Sequence, residues 1–231
     1  MRGPKRYVQW VNANLGFNPR AQANSDALSK YILEDLCFTS PKAIGKLVST
    51  ENLVFKKNAD VTAKFAVRNV DLVLYEHAAL PLISVQLSVE NKTIMTAHGK
   101  ARKNRYGDII AYCNHVHNHR RDCIAGAAIV VNTSEKYENP DSFAKGLKRP
   151  RVPMERVVSD TIKIFEAIPL RDTIDDPTEL PEALTVIVVN YDGVNPAKLV
   201  TGAASPNSAS PINYDNFIKR LVAKFEDRFC Q

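Results

Sequence analysis

Two carboxylates and an ammonium stand at spacings that could hold a divalent cation against a phosphodiester. Asp71 opens the apolar run Asp71-Leu72-Val73-Leu74-Tyr75, and Glu90-Asn91-Lys92 closes the next run, which starts at Leu82. If the two runs are neighbouring strands of a hairpin, side chains two apart on the second strand project to one face. Glu90 and Lys92 then point together, while Val89 and Asn91 point the other way. Magnesium takes hard oxygen ligands, commonly one or two protein carboxylates with water and phosphate oxygens completing its shell. Asp71 and Glu90 are the expected pair. The ion would polarise the phosphoryl group and lower the pKa of a bound water, and Lys92 would orient that water or stabilise negative charge. The competing reading of the same residues is an exposed strand end with a salt bridge, worth roughly 0 to 1 kcal/mol.

Beyond Lys92 the chain runs through Met95-Thr96-Ala97-His98 into a basic helical stretch, then an apolar run over residues 124–131 that ends at Asn132. This order of strand, strand with Glu-x-Lys, helix and apolar strand resembles the core of the PD-(D/E)xK nuclease superfamily, the restriction endonuclease-like fold. The segment 89–98 with the basic helix after it also resembles a bacterial and phage group within that superfamily. The resemblance covers residues 68–132. It implies magnesium-dependent hydrolysis of DNA, with manganese able to substitute. Asp71, Glu90 and Lys92 fall at the catalytic positions, and Asp71, Glu90 and the Asn91 backbone carbonyl are the implied metal ligands. Glu34 stands on a helix ahead of the hairpin, where such nucleases often supply a further acidic ligand; the other reading makes it a surface residue. The implied enzyme is a type II restriction or defence endonuclease acting on double-stranded DNA. It would work as a homodimer whose two sites address two strands, beside a cognate methyltransferase for the same DNA. Two departures stand out. Val70 precedes Asp71 where proline is common, and Gln86 and Ser88 share the Glu90 face, so that Gln86-x-Ser88 could take the motif position and leave a degenerate site.

The chain carries 31 Lys and Arg against 25 Asp and Glu, a formal charge of +6, which suits a polyanionic partner without identifying one. Lys100, Arg102, Lys103 and Arg105 cluster just after the proposed site, and Lys145, Lys148, Arg149, Arg151 and Arg156 form a second cluster among prolines. Basic groups near phosphates release counterions and give sequence-independent affinity; the alternative for each cluster is a solvated face or loop. The expected DNA contacts are His98, Lys100, Arg102, Lys103, Arg105, Lys148, Arg149 and Arg151, with capping or packing of the helix start as the equal alternative for His98. A second function, from another class, follows from the shifted register: a nucleic-acid-binding protein on the same fold that does not cleave.

Between Cys113 and Cys123 lie His115, His117 and His119. His115 and His119 are one helical turn apart and could share a zinc ion with Cys113. That spacing fits no standard zinc module, and the competing reading is the polar end of a long helix, with histidines favourably placed near its C-terminal dipole. The four cysteines show no compact disulfide spacing and read as reduced thiols.

A chain of 231 residues can bury a full core, and one elaborated domain over 1–231 is expected, with its core at 61–132 and 184–190 and helical additions at both ends. No apolar run approaches a membrane span and no apolar segment follows the first six residues, so a cytoplasmic protein is expected. Asn24 or Ser25 reads as the N-cap of a helix through Cys37, followed by a helical region at 43–48. Strands are expected at 53–55 and at 61–70, leading to Asp71. After a loop at 134–140 and a short helical turn at 141–147, a helix starts at Met154 and ends before Pro169. An acidic loop spans 173–181, a buried strand at 184–189 lies beside 124–131, and 193–211 is a surface loop. The last helix, 214–229, turns Phe217, Ile218, Leu221, Val222 and Phe225 inward. The whole predicts a mixed α/β domain, a mixed central sheet flanked by helices on both faces.

Overall fold

Six strands form one sheet, and the most deeply buried runs lie in its parallel half. In the computed structural model, which describes residues 2–14, 21–64, 66–77, 84–95, 97–134 and 153–230, the strands are β1 (Leu53–Ala63), β2 (Ala66–Glu76), β3 (Val85–Ile94), β4 (Ile124–Asn132), β5 (Ala183–Asn190) and β6 (Lys198–Leu199). They lie side by side in sequence order. β1, β2 and β3 are antiparallel neighbours, β3, β4 and β5 are parallel, and β6 returns antiparallel on β5. Every residue of β4 is buried, as expected for a parallel strand covered on both faces.

Helices α1 (Gly3–Ala13), α2 (Gln22–Thr39), α3 (Ile44–Ser49) and α6 (Tyr214–Phe229) cover one face, packing on Leu72, Leu74, Leu87, Val89 and Ile124. Helices α4 (His98–His119) and α5 (Met154–Glu166) cover the other, against Val73, Val85, Ala125 and Ile129. α4 is the crossover between the parallel neighbours β3 and β4. The mixed α/β class, the buried strand beside β4 and the inward face of α6 are all as the sequence predicts. Gly126 lets α6 come close, because a Cβ there would meet Leu221, Phe217 and Val89 at 3.2 Å. Among the described residues no helix is long and apolar enough to cross a membrane.

One helix was not placed by the sequence, and three expectations need correction. Residues 3–13 form α1, entered through Pro4 and anchored by buried Tyr7, Val8 and Val11. α2 begins at Gln22 rather than after Asn24 or Ser25, and its N-cap Ala21 gives no side-chain bond. Asn24 and Ser25 instead turn sideways within the first turn, to Tyr7 and Asp71. Residues 61–70 contain a hairpin: Ala63 pairs with Ala66, and Lys64 takes a left-handed φ of 53° without the glycine or asparagine that marks such turns. Asp71 therefore lies inside β2, not at its head. Residues 193–211 carry β6, a short 3-10 turn at Gly202–Ala204 and the buried Ala197 and Ser210, so the segment is more than a surface loop. The turn expected at 141–147 lies outside the described residues.

A buried charge network fastens the far end of the sheet. Glu182, fully buried, accepts from Arg171 at 2.8 Å, Arg228 at 2.8 Å, His117 at 3.0 Å and the Ala125 amide at 2.8 Å. Burial pushes its carboxyl up, but the hydrogen bond and charge of His117, the Ala125 amide and Arg228 outweigh it and hold the pKa at about 2, against an ordinary 4.5. Glu182→Ala, which strands the buried Arg171, is expected to cost about 3–5 kcal/mol in urea unfolding. Because the folded pKa lies below the unfolded one, this contribution is complete above about 4.5 and is lost as pH falls towards about 2. The stability gap between wild type and Glu182→Gln should close over that window.

Candidate active site

The β2–β3 ladder ends at the pair Leu72–Val89. Asp71 and Glu90 are the next residues on each strand, at the point where the strands part. On its other side β3 stays paired with β4 through Glu90, Asn91 and Lys92, opposite Ala127, Ala128 and Ile129. The expected alternation along β3 is present. Glu90 and Lys92 share the α4 side, with Lys92 Nζ 2.5 Å from Glu90 Oε1, and Asn91 faces α2, its amide donating to Ser29 Oγ at 2.8 Å and to Ser25 Oγ at 3.1 Å.

Asp71 departs from simple alternation. Leu72 belongs to the α2-side core, yet Val70, two residues away, belongs to the α4-side core, although residues two apart in a regular strand share a face. The change falls at Asp71 and, across the ladder, at Asn58, whose φ is 51°. The Asp71 carboxylate is consequently turned towards α2. It accepts from Ser25 Oγ at 2.7 Å, from Gln22 Nε2 at 3.4 Å and from the Asn91 backbone amide at 2.8 Å. The structure thus joins Glu90 to Lys92 but, contrary to the expected convergence, turns Asp71 towards α2 and Glu90 towards α4, with the two carboxylates bonded to different partners.

Glu90 is 2% exposed, and a carboxylate so deep needs a counter-charge. Arg68 of β2 supplies a second cation, with Nη2 3.0 Å from the same Oε1 that Lys92 contacts. Glu90 Oε2 is buried without a hydrogen-bond partner. That open oxygen is the observation a metal would fit, since magnesium needs only one or two protein carboxylates. Among the described residues no three His, Cys, Asp or Glu side chains gather around a common point, so a centre here would rest on Glu90, Asp71, main-chain oxygen and water.

The remaining expected residues are dispersed. Glu34 pairs with Arg6 of α1 and lies nine residues, about 13 Å of helix rise, beyond Ser25, the α2 residue that touches Asp71. Ser88 is committed to the Tyr112 hydroxyl at 2.7 Å inside the α4-side core, which leaves Glu90 rather than the Gln86-x-Ser88 pair where the strands open. His98 is buried, and its Nε2 meets the Asn132 carbonyl at 2.7 Å, the packing alternative. Arg105 reaches the Thr93 carbonyl at 3.3 Å and Asp108 at 2.5 Å, just past Lys92. Lys100 and Lys103 are exposed on α4 and Arg102 is half-buried. Lys145, Lys148, Arg149 and Arg151 lie outside the described residues.

The histidine run has other partners. His115 Nε2 meets the Val61 carbonyl at 2.8 Å and His119 Nδ1 the Thr62 carbonyl at 2.6 Å, so both rings fasten α4 to the end of β1. Cys113 is fully buried, and burial, followed by the Glu182 charge, pushes its thiol well above the ordinary value, which disfavours the thiolate that binds zinc. All four cysteines are free.

No family model, curated protein or solved structure matches the chain. Sequence reasoning missed Arg68, Ser25 and Ser29 as members of this site. Ser25 and Ser29 are four apart and share a helix face, a visible signal; Arg68 could be placed only once the hairpin turn was known. Ser25→Ala should lower stability by about 1 kcal/mol in urea unfolding and leave the Glu90 ion pairs in place. An unchanged midpoint would show that Ser25 does not hold Asp71.

Proposed function

We infer that the protein is a metal-dependent DNA endonuclease on a restriction endonuclease-like fold, of the type II restriction or defence kind. The observation that carries the reading is the open, buried Glu90 Oε2 beside Lys92, at the place where Asp71 and Glu90 succeed the last β2–β3 pair. Strand order supports it: an antiparallel β2–β3 pair, then a helical crossover to the parallel β4.

In this reading Glu90 and Asp71 hold magnesium, with manganese as a substitute. To join such a site Asp71 would have to exchange its Ser25 and Gln22 bonds for the ion. The bound ion would supply positive charge to the phosphoryl oxygens and an acidified water. Lys92, fixed on the Glu90 face by strand alternation, orients the nucleophilic water and offsets negative charge as it develops on the phosphate. Lys100, Arg102, Lys103 and Arg105, at the start of α4 directly after β3, supply phosphate-backbone affinity. Two copies would address the two strands of a duplex.

One specific observation favours the second reading, a nucleic-acid-binding protein that does not cleave. Arg68 already neutralises Glu90 at 3.0 Å, and Asp71 already has hydroxyl and amide donors. The two readings separate on supercoiled and linear DNA with Mg²⁺ or Mn²⁺. The nuclease reading expects cleavage by wild type and a loss of at least about 100-fold in Glu90→Ala and Lys92→Ala. Equal DNA binding by all three proteins without nicking would favour the binding module.

A further inference from the structure

Glu182 and Glu90 are both buried carboxylates, and they are satisfied in opposite ways. Glu182 has donors on both oxygens, Arg171 and Arg228 on Oε1, His117 and the Ala125 amide on Oε2. Glu90 has both of its cations on Oε1, Lys92 at 2.5 Å and Arg68 at 3.0 Å, and none on the buried Oε2. A carboxylate that serves only the fold gains by filling both oxygens, because each buried lone acceptor costs free energy. An oxygen kept open beside two cations is arranged for another ligand.

The two cations are not equally fixed. Lys92 follows Glu90 by two residues on β3, and strand geometry holds it to the same face. Arg68 arrives from β2, upstream of the point where β2 and β3 part. Its side chain is 27% exposed. Its Nη2 reaches the Asp108 carbonyl only at 3.4 Å, its Nε is buried without an acceptor, and its guanidinium lies 5.7 Å from the Tyr112 ring centre. A guanidinium normally gains most from a planar fork of bonds to one or two acceptors. Arg68 holds Glu90 by one good bond and has a path to solvent, so it is the cation that can leave.

We propose that Arg68 is an internal counter-cation that occupies Glu90 until a divalent cation displaces it, and so sets the metal concentration at which the site fills. This rests on the metal-dependent reading above. The reason is electrostatic: a guanidinium and a divalent ion on one carboxylate repel at close range, where protein screens charge far less than water does. Lys92 stays on Oε1 in both states. Arg68 acts here by excluding or admitting the ion, and its effect is visible without any substrate.

The test is direct Mn²⁺ binding to the full chain without DNA, followed by loss of the free-ion paramagnetic signal. Arg68→Met keeps an unbranched stem against Tyr112 and removes the charge, and it should bind Mn²⁺ about tenfold or more tightly than wild type. Arg68→Lys retains a charge and should stay near wild type. Glu90→Gln in the Arg68→Met background should abolish the gain. If Arg68→Met melts early by circular dichroism, Arg68→Gln takes its place with the same expectation. Equal Mn²⁺ affinity in wild type and Arg68→Met, with binding lost in Glu90→Gln, would overturn the gating role and leave the metal-dependent reading standing. Absence of Mn²⁺ binding in wild type and every Arg68 variant would bring down that reading and this proposal together. A gain in Arg68→Met that survives Glu90→Gln would place the ion elsewhere and overturn the proposal as well.

Discussion

Strand β3 lies between β2 and β4 with helices over both faces, so each polar side chain on its buried stretch must find a partner inside the protein. Ser88, Glu90 and Asn91 are all buried. Ser88 meets the Tyr112 hydroxyl, Asn91 meets two serines of α2, and Glu90 draws two cations to one oxygen. Burying a polar or charged group is tolerable only when such partners exist, and this requirement fixes which helix faces may approach the strand. The placement of α2 and α4 on opposite sides of β3 is in part the answer to polar residues on both faces of one strand, Ser88 and Glu90 towards α4 and Asn91 towards α2.

The two buried carboxylates of this molecule meet the same constraint in different ways. Glu182, at the entry to β5, joins α4, β4, α6 and the loop after α5 through four donors, and His117, the Ala125 amide and Arg228 hold its carboxyl at about 2. Such a network leaves no valence for a ligand and anchors the end of the sheet away from the open strands. Glu90 stands where β2 and β3 separate and retains an unfilled oxygen. Asp71, on the departing strand, is held by hydroxyl and amide donors rather than by cations. Neutral donors can be exchanged at lower cost than a buried ion pair can be broken.

Much of the fold was legible because its signals are periodic. The continuous apolar runs of β4 and β5, and the spacing of Phe217, Ile218, Leu221, Val222 and Phe225 on α6, each correspond to one way of burying that surface. The common face of Glu90 and Lys92 was legible for the same reason, since strand alternation is local. What the sequence concealed depends on turns and on distant partners. Lys64 adopts a left-handed turn without a turn residue's signature, so the β1–β2 hairpin, and with it the position of Arg68, could not be read. Asn58 and Asp71 switch the face of their strands together, an irregularity made by two strands jointly and invisible in either. Ser25 reads as a helix cap, and becomes a partner for Asp71 only because the helix starts earlier.

The central claim is that Glu90 and Asp71 can share a divalent cation once Arg68 and Ser25 release them. Anomalous diffraction from crystals of the full chain soaked in Mn²⁺ addresses it most directly. The account predicts a manganese peak bonded to Glu90 Oε2, with the Asp71 carboxylate turned from Ser25 into the same coordination shell and Arg68 withdrawn. A structure in which manganese is absent from this position, with Arg68 still on Glu90 and Asp71 still on Ser25, would contradict it.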